Sequence, residues 1–379
     1  MITPQFAIHN FACLNIQHPQ DSVKHFMLNI GIFFAMVAKR VLRCYITKTM
    51  EKNLLKQLLL EAFARRTALI AGDVQHRGPW RVCNGFTEGL PDLAIDLMGR
   101  TAVIHDYSHA GYDRNVLTGL LLKQFDFLQA VLCKKRHAAD PAERNGKLIY
   151  GEKPDSFVVE HNVRYAIDLM MNHDNGFYSD TRNLRKYLLD NMQGKSVLNT
   201  FAYTGSLGIA AAAGGAGFVL QSDLSNKFLQ TAYRSASLNG LTFTKKNFKF
   251  GDFFPVVAAL RKARAKFDCV IVDPPFFSRT DKGTVDLAND PLAVINKVRP
   301  LVADNGLLIA VNNSLYLSGR ELINQLNDLC RDGYLQLENL IAIPEDFCCS
   351  TGDKSMPYPA DPEPFNHPTK IAVLRVHVK

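Results

Sequence analysis

Val197-Leu198-Asn199-Thr200-Phe201-Ala202-Tyr203-Thr204-Gly205-Ser206-Leu207-Gly208 runs from an apolar strand through a turn of small residues into a helix. A strand that passes at once into a helix opens a βαβ unit. Gly205 lets the backbone approach a ligand closely. Working outward, the same alternation repeats, with strands expected at 196–199, 217–222, 248–250, 269–272 and 307–311. Helices fit between them at 207–213, 226–239, 255–265 and 290–302. This pattern predicts an α/β fold over 169–379: a doubly wound, Rossmann-like parallel sheet that binds its ligand where the strands end.

Upstream the pattern differs. Leu54, Leu55, Leu58, Leu59 and Phe63 recur at helical spacing over 50–66. Short β-like runs follow at 80–83, 93–97, 101–105 and 130–133, punctuated by Asn84-Gly85, Gly89-Leu90-Pro91 and Gly99. The runs 156–160 and 163–167, joined by His161-Asn162, read as a β-hairpin. Residues 50–168 are thus expected to form a small α+β domain. Residues 1–49 are an extension of unknown role, whose apolar run at 26–38 is too short to span a bilayer and suits a packed or interfacial helix. Because Met50 opens an apolar-periodic helix, translation is expected to begin there.

At 379 residues the chain suits a soluble protein of two domains. Its eight cysteines show no CxxC pair and no zinc-finger histidine spacing, so no metal site is expected and a reducing cytoplasm is. The formal charge of +8 is only weak support for a polyanionic partner. Half of it lies in 1–49, where Lys24, Lys39, Arg40, Arg43 and Lys48 oppose Asp21.

Four signals carry chemistry. The turn at 201–205 lacks GxGxxG, which argues against a nicotinamide dehydrogenase. Asp223, ending the second strand, is placed to accept from both hydroxyls of a ribose, or else to cap a helix. Gly251-Asp252-Phe253 offers a carboxylate for an adenine amino group and a ring to cover the base, although turn chemistry explains Gly-Asp equally well. The sharpest is Asp273-Pro274-Pro275-Phe276-Phe277 after the fourth strand. Its prolines withhold N–H groups and leave carbonyls to accept from an amine, and Phe276 can stack on a planar base.

Together with Asn175-Gly176-Phe177-Tyr178-Ser179-Asp180-Thr181-Arg182, these motifs resemble the bacterial 23S rRNA large-subunit methyltransferases in order and spacing. Residues 88–96, EGLPDLAID, look like the RNA-binding domain that precedes the catalytic fold in the cytosine-C5 members. The resemblance spans about 80–379. It implies S-adenosylmethionine as cofactor and a pocket of Tyr178, Asp180, Arg182, Phe201, Tyr203, Thr204, Gly205, Asp223, Asp252, Phe253 and Asp273. It also implies RNA, ribosomal above all, as partner.

Two features depart from the cytosine-C5 members. Those carry a nucleophilic cysteine after the fifth strand, because carbon 5 is activated by covalent attack on carbon 6. Here that place reads Val311-Asn312-Asn313-Ser314, which resembles the guanine-methylating members. No N-terminal PUA module is evident. The expectation is direct transfer to a nitrogen, guanine favoured, of a base flipped out of its strand. Asp273 and the Pro274 carbonyl hold the amine, Phe276 stacks the base, and Asn312 or Asn313 steadies its edge. Lys134, Lys135, Arg136, Lys245, Lys246 and Lys249 are candidate phosphate contacts. The alternatives are C5 transfer with a cysteine from elsewhere, a catalytically silent assembly factor that binds cofactor and RNA, and a protein or small-molecule acceptor.

Overall fold

In the computed structural model, residues 52–314, 317–348 and 369–378 are described. The expectations for 1–49 and Met50 lie outside these residues.

Helix α1 (Lys52–Ile70) leads into a five-stranded sheet: β1 (Pro79–Cys83), β2 (Leu93–Met98), β3 (Thr101–Asp106), β4 (Ala130–Lys135) and β5 (Lys147–Tyr150), in that spatial order. β3 and β4 are parallel, so the chain must cross over between them, and α2 (Arg114–Gln124) makes that crossing. Asp113 starts α2 by accepting from the amides of Asn115 and Val116. A short helix α3 (Pro141–Asn145) precedes β5. The hairpin of β6 (Phe157–Glu160) and β7 (Val163–Ala166) forms as expected. His161 and Asn162 take φ of 51° and 62°, the left-handed pair that a two-residue hairpin turn requires.

The second sheet has seven strands in the order β10-β9-β8-β11-β14-β16-β15. They are β8 (Ser196–Thr200), β9 (Phe218–Asp223), β10 (Phe248–Phe250), β11 (Phe267–Val272), β14 (Val302–Asn312), β15 (Leu335–Ile341) and β16 (Lys370–Val376). β10, β9, β8, β11 and β14 are mutually parallel, while β16 runs antiparallel to both β14 and β15. The expected parallel sheet therefore carries one antiparallel strand, β16, inserted between β14 and the edge strand β15.

Burial follows the pleat. Val197, Ile271 and Ile309 pack on one face with Leu184 and Leu188 of α4 (Arg182–Asn191), and Leu198, Val270 and Leu308 pack on the other with Val294 and Val298 of α8 (Ala293–Val298). Both faces are covered by α4, α5 (Ser206–Ala213), α6 (Asn226–Leu238), α7 (Phe253–Lys262), α8 and α9 (Gly319–Leu329). The helix expected at 290–302 is shorter: α8 ends at Val298 and a 3-10 turn, Arg299–Leu301, hands over to β14 at Val302. Pro300 has no N–H to continue an α-helix. After Asp273 the chain forms a small hairpin, β12 (Phe277–Arg279) and β13 (Thr284–Asp286), with no counterpart in the sequence reading. Among the described residues no helix is long and apolar enough to cross a membrane.

Both sheets belong to one compact unit beginning at Leu55, and a buried ion network links them. Asp346, on the single turn α10 (Glu345–Cys348), accepts from Arg182 at 2.8 and 3.0 Å and from the backbone amide of Arg81 on β1 at 2.9 Å. Arg66 of α1 reaches the Asp346 carbonyl at 2.9 Å and Glu88 at 2.8 Å. Breaking a buried charge pair leaves its partner uncompensated, so Asp346→Ala is expected to cost about 3–5 kcal/mol in equilibrium urea unfolding. A loss below about 1 kcal/mol, the range of exposed pairs, would show that the network does not hold the sheets together.

Candidate functional site

β8 to its left leads to β9 and β10, and to its right lies β11, so the strand order reverses between β8 and β11. Open α/β sheets leave a crevice beyond the carboxyl ends of strands at such a point. A cavity of about 650 Å³ lies here, and each neighbouring strand ends on a residue of its wall: Phe201 after β8, Asp223 on β9, Asp252 after β10, Asp273 after β11 and Asn313 after β14.

The turn after β8 is shaped by backbone strain. Phe201 and Tyr203 have φ of 52° and 51°, unusual for bulky side chains. This turn sends the Phe201 ring to stack on Phe253 at 4.5 Å and the Tyr203 ring toward Tyr178 at 5.4 Å. Asp223 holds the turn by accepting from the Tyr203 amide at 2.8 Å, and its other oxygen accepts from the Ser225 amide at 2.8 Å. The carboxylate has acceptor capacity beyond these amides for a ligand. Burial raises Asp223 above the ordinary carboxylate value against the opposing pull of these amides. Asp252 both faces the cavity and caps α7, accepting from the Phe254 amide at 2.9 Å. The functional and capping readings of both residues therefore coexist.

Tyr178 and Asp180 arrive on the chain before α4. The Tyr178 hydroxyl donates to Asp174 at 3.0 Å, and Asp174 also accepts from the Tyr203 hydroxyl. Asp180 is buried and accepts from Thr369 at 2.7 Å. Burial and the nearby Asp180 carboxylate push Asp273 up to about 7. The Asn313 amide nitrogen lies 3.5 Å from the Pro274 carbonyl, and its oxygen is buried without a partner among the described residues.

Five expected residues stand elsewhere. Arg182 is spent on Asp346, Glu160 at 3.3 Å and the Trp80 face at 4.4 Å, and does not line the cavity. Thr204 turns inward, donating to the Gly176 carbonyl at 2.7 Å. Gly205 serves packing rather than ligand approach: a Cβ there would lie 2.4 Å from that of Ala232. Phe276 is 38% exposed and is not part of the wall. Asn312 is buried, accepting from the Ser314 amide at 2.9 Å, which leaves Asn313 as the cavity member of the pair. Among the phosphate candidates, Lys134 is also corrected. It is 2% exposed, and its ammonium donates to the carbonyls of Asn145, Leu169, Asn172 and Asp174 at 2.5–2.8 Å.

On the far wall, Arg136, a phosphate candidate from the sequence, lines the cavity together with Arg81, Asp96, His105, Tyr107 and His173, whose place there the sequence did not reveal. One signal was present: Asp96 interrupts the otherwise apolar, fully buried strand Leu93–Met98. A carboxylate in such a strand demands a buried partner.

The same fold and family emerge from comparison with known proteins. Residues 129–340, more than half of the chain, match the family model described as S-adenosylmethionine-dependent methyltransferase. The chain is 30% identical over 247 residues to the Bacillus subtilis protein named "Putative ribosomal RNA large subunit methyltransferase YwbD", covering 64% of this chain and 62% of that one. It is 34% identical over 210 residues to ribosomal RNA large subunit methyltransferase I of Aeromonas hydrophila, covering 53% and 52%. The chain thus spans between about half and three-fifths of the length of these relatives. The crystal structure of "SMU.776, a putative methyltransferase complexed with SAH" has the same fold, with a TM-score of 0.74 at 20% identity over 86% of this chain and 82% of that one. A cavity walled by the ends of five parallel strands, in a chain that matches this model over its catalytic half, places the protein in the family of S-adenosylmethionine-dependent methyltransferases.

Proposed function

We propose that this chain methylates a base of ribosomal RNA by direct transfer to a nitrogen, with guanine the favoured base. The observation that carries this reading is the convergence of Asp223, Asp252, Asp273 and Asn313 on one cavity at the strand ends. The donor set fits a nucleoside at one end: Asp223 for the ribose hydroxyls, Asp252 for the adenine amino group, and the Phe201–Phe253 stack for the ring. S-adenosylmethionine, when bound, supplies a methyl group on a positively charged sulfur. Asp180 and Asp273 bring carboxyl groups to the wall, and Asp174 ties Tyr178 to Tyr203 beside them.

In this reading Asp273 and the Pro274 carbonyl accept from the acceptor amine, and Asn313 offers its unpartnered oxygen to the base edge. The domain at 50–168 is the proposed RNA platform, 169–379 the catalytic domain, and the cytoplasm the site of action. The relatives named as ribosomal RNA methyltransferases support the acceptor class. The nucleophile-free mechanism is supported by the cysteines: none whose side chain is described lines the cavity. Burial pushes Cys83 and Cys269 up to about 12 and Cys133 up to about 11, so these thiols stay neutral.

Incubation with tritiated-methyl S-adenosylmethionine and unmodified ribosomal RNA, then nucleoside analysis by mass spectrometry, tests the function. A methylguanosine is the expected product. Methylation at cytosine C5, or covalent trapping on 5-fluorocytosine RNA, would replace the mechanism, and cofactor binding with no product would favour a silent assembly factor.

Asp223→Ala is expected to weaken S-adenosylmethionine binding roughly 10- to 100-fold by calorimetry, the scale of hydrogen bonds to a charged group. An unchanged Kd would remove Asp223 from the cofactor site. With Asp273 near 7, the carboxyl is protonated at low pH, where it carries an O–H donor and lacks the charge that makes it a strong acceptor for the amine. The kcat/KM for the acceptor should therefore rise with pH through about 7 and level off above it. Asp273→Asn should be slow and lack that step, whereas a flat wild-type profile would sink the assignment.

A further inference from the structure

The far wall of the cavity is built as deliberately as the near one. Arg81, Asp96 and His105 lie on three adjacent strands and share one face, Arg81 opposite Asp96 and His105 two residues along the β2–β3 ladder from it. Arg81 grips Asp96 at 2.5 and 3.2 Å, His105 Nε2 lies 3.2 Å from the second oxygen, and Asn175 donates to that oxygen at 2.8 Å. The Asp96 charge is thus fully met, and the group forms a rigid floor.

Over this floor stand Tyr107, Arg136 and His173, all lining the cavity. The Tyr107 ring lies nearly parallel to that of His105, at 6.3 Å and 17°, and remains 42% exposed. Arg136, the first residue after β4, is exposed and has no carboxylate partner among the described residues. Of the acids beside them, Asp96 is held by Arg81 and Asn175, and Asp174 is engaged by the hydroxyls of Tyr178 and Tyr203. The two ends of the cavity therefore differ in chemistry: Asp223, Asp252 and stacked phenylalanines at the strand ends, and at the other a guanidinium with no carboxylate partner among the described residues beside an open aromatic ring. Guanidinium groups bind phosphate, and exposed rings in cationic grooves stack bases.

We propose that the Tyr107–Arg136–His173 corner is the acceptor subsite, in which Arg136 and His173 hold a phosphate of the target nucleotide and Tyr107 stacks its flipped-out base. The base edge then faces Asp273 and Asn313 across the cavity. This inference rests on the reading of the acceptor as RNA, and it explains why the five-stranded domain contributes a wall to the catalytic cavity.

The test uses the full chain, unmodified ribosomal RNA and the variants Arg136→Ala, Arg136→Lys and Tyr107→Ala. Arg136→Ala should lower the slope of log binding constant against log salt by roughly one, the signature of a lost phosphate contact. It should raise the KM for RNA by about tenfold or more, with Arg136→Lys restoring part of the loss, because a charge-assisted hydrogen bond is at stake. Tyr107→Ala should raise KM with the salt slope unchanged, as stacking involves no counterion release. The Kd for S-adenosylmethionine should stay at the wild-type value in all three. If the wild-type chain binds and methylates RNA while both alanine variants match it in slope and KM, the subsite is overturned and the RNA reading stands. If the wild-type chain neither binds nor methylates RNA, both readings fall.

Discussion

A carboxylate taken out of water must find its countercharge, and in this protein that requirement fixes the cofactor end of the structure. Glu160, on the hairpin, is buried between Arg182 and Arg185. Arg185 donates to both Glu160 oxygens, to the Tyr178 carbonyl and to Thr181, and lies over the Phe177 ring at 4.1 Å. Arg182 continues the chain of charges to Asp346. The first turn of α4 is thereby pinned from three directions, and the segment just before it, which carries Tyr178 and Asp180 to the cavity, has no latitude. Removing any member would strand a charge that the interior cannot solvate.

The parallel strands impose a second constraint. Their registers place Thr200, Ser222 and Val272 side by side, so the residues that follow them emerge at one level of the sheet. A site assembled this way needs no long loop to gather its groups. Only the turn after β8 pays in strain, through two bulky residues held at positive φ, and Asp223 clamps that turn from the neighbouring strand.

Local pattern made much of this legible. Alternation of apolar runs with helices announced the winding, and the acids at strand ends announced the cavity, because both depend on residues close together in the chain. Residues whose role is set by distant partners were not legible in the same way. Arg182 looks like a pocket residue in a motif, yet its guanidinium is claimed by Asp346, 164 positions away. Asn312 and Asn313 are indistinguishable in sequence; the pleat of β14 buries one and gives the other to the cavity. Gly205 invites a ligand-approach explanation, and only the packing of α5 against α6 reveals Ala232 as the neighbour that forbids a side chain. The antiparallel β16 and the wall of Arg81, Asp96 and His105 depend on pairings that no short window contains.

Lys134 gives the molecule an unusual autonomy. Loops whose carbonyls converge on one point are often organised by a dissolved metal ion, and their order then follows the composition of the medium. Here four carbonyls, three of them from the stretch that leads into the cofactor segment, converge on an ammonium tethered to β4. The cation is delivered by the chain at fixed stoichiometry. The order of that stretch is thus set by synthesis of the polypeptide rather than by capture of an ion.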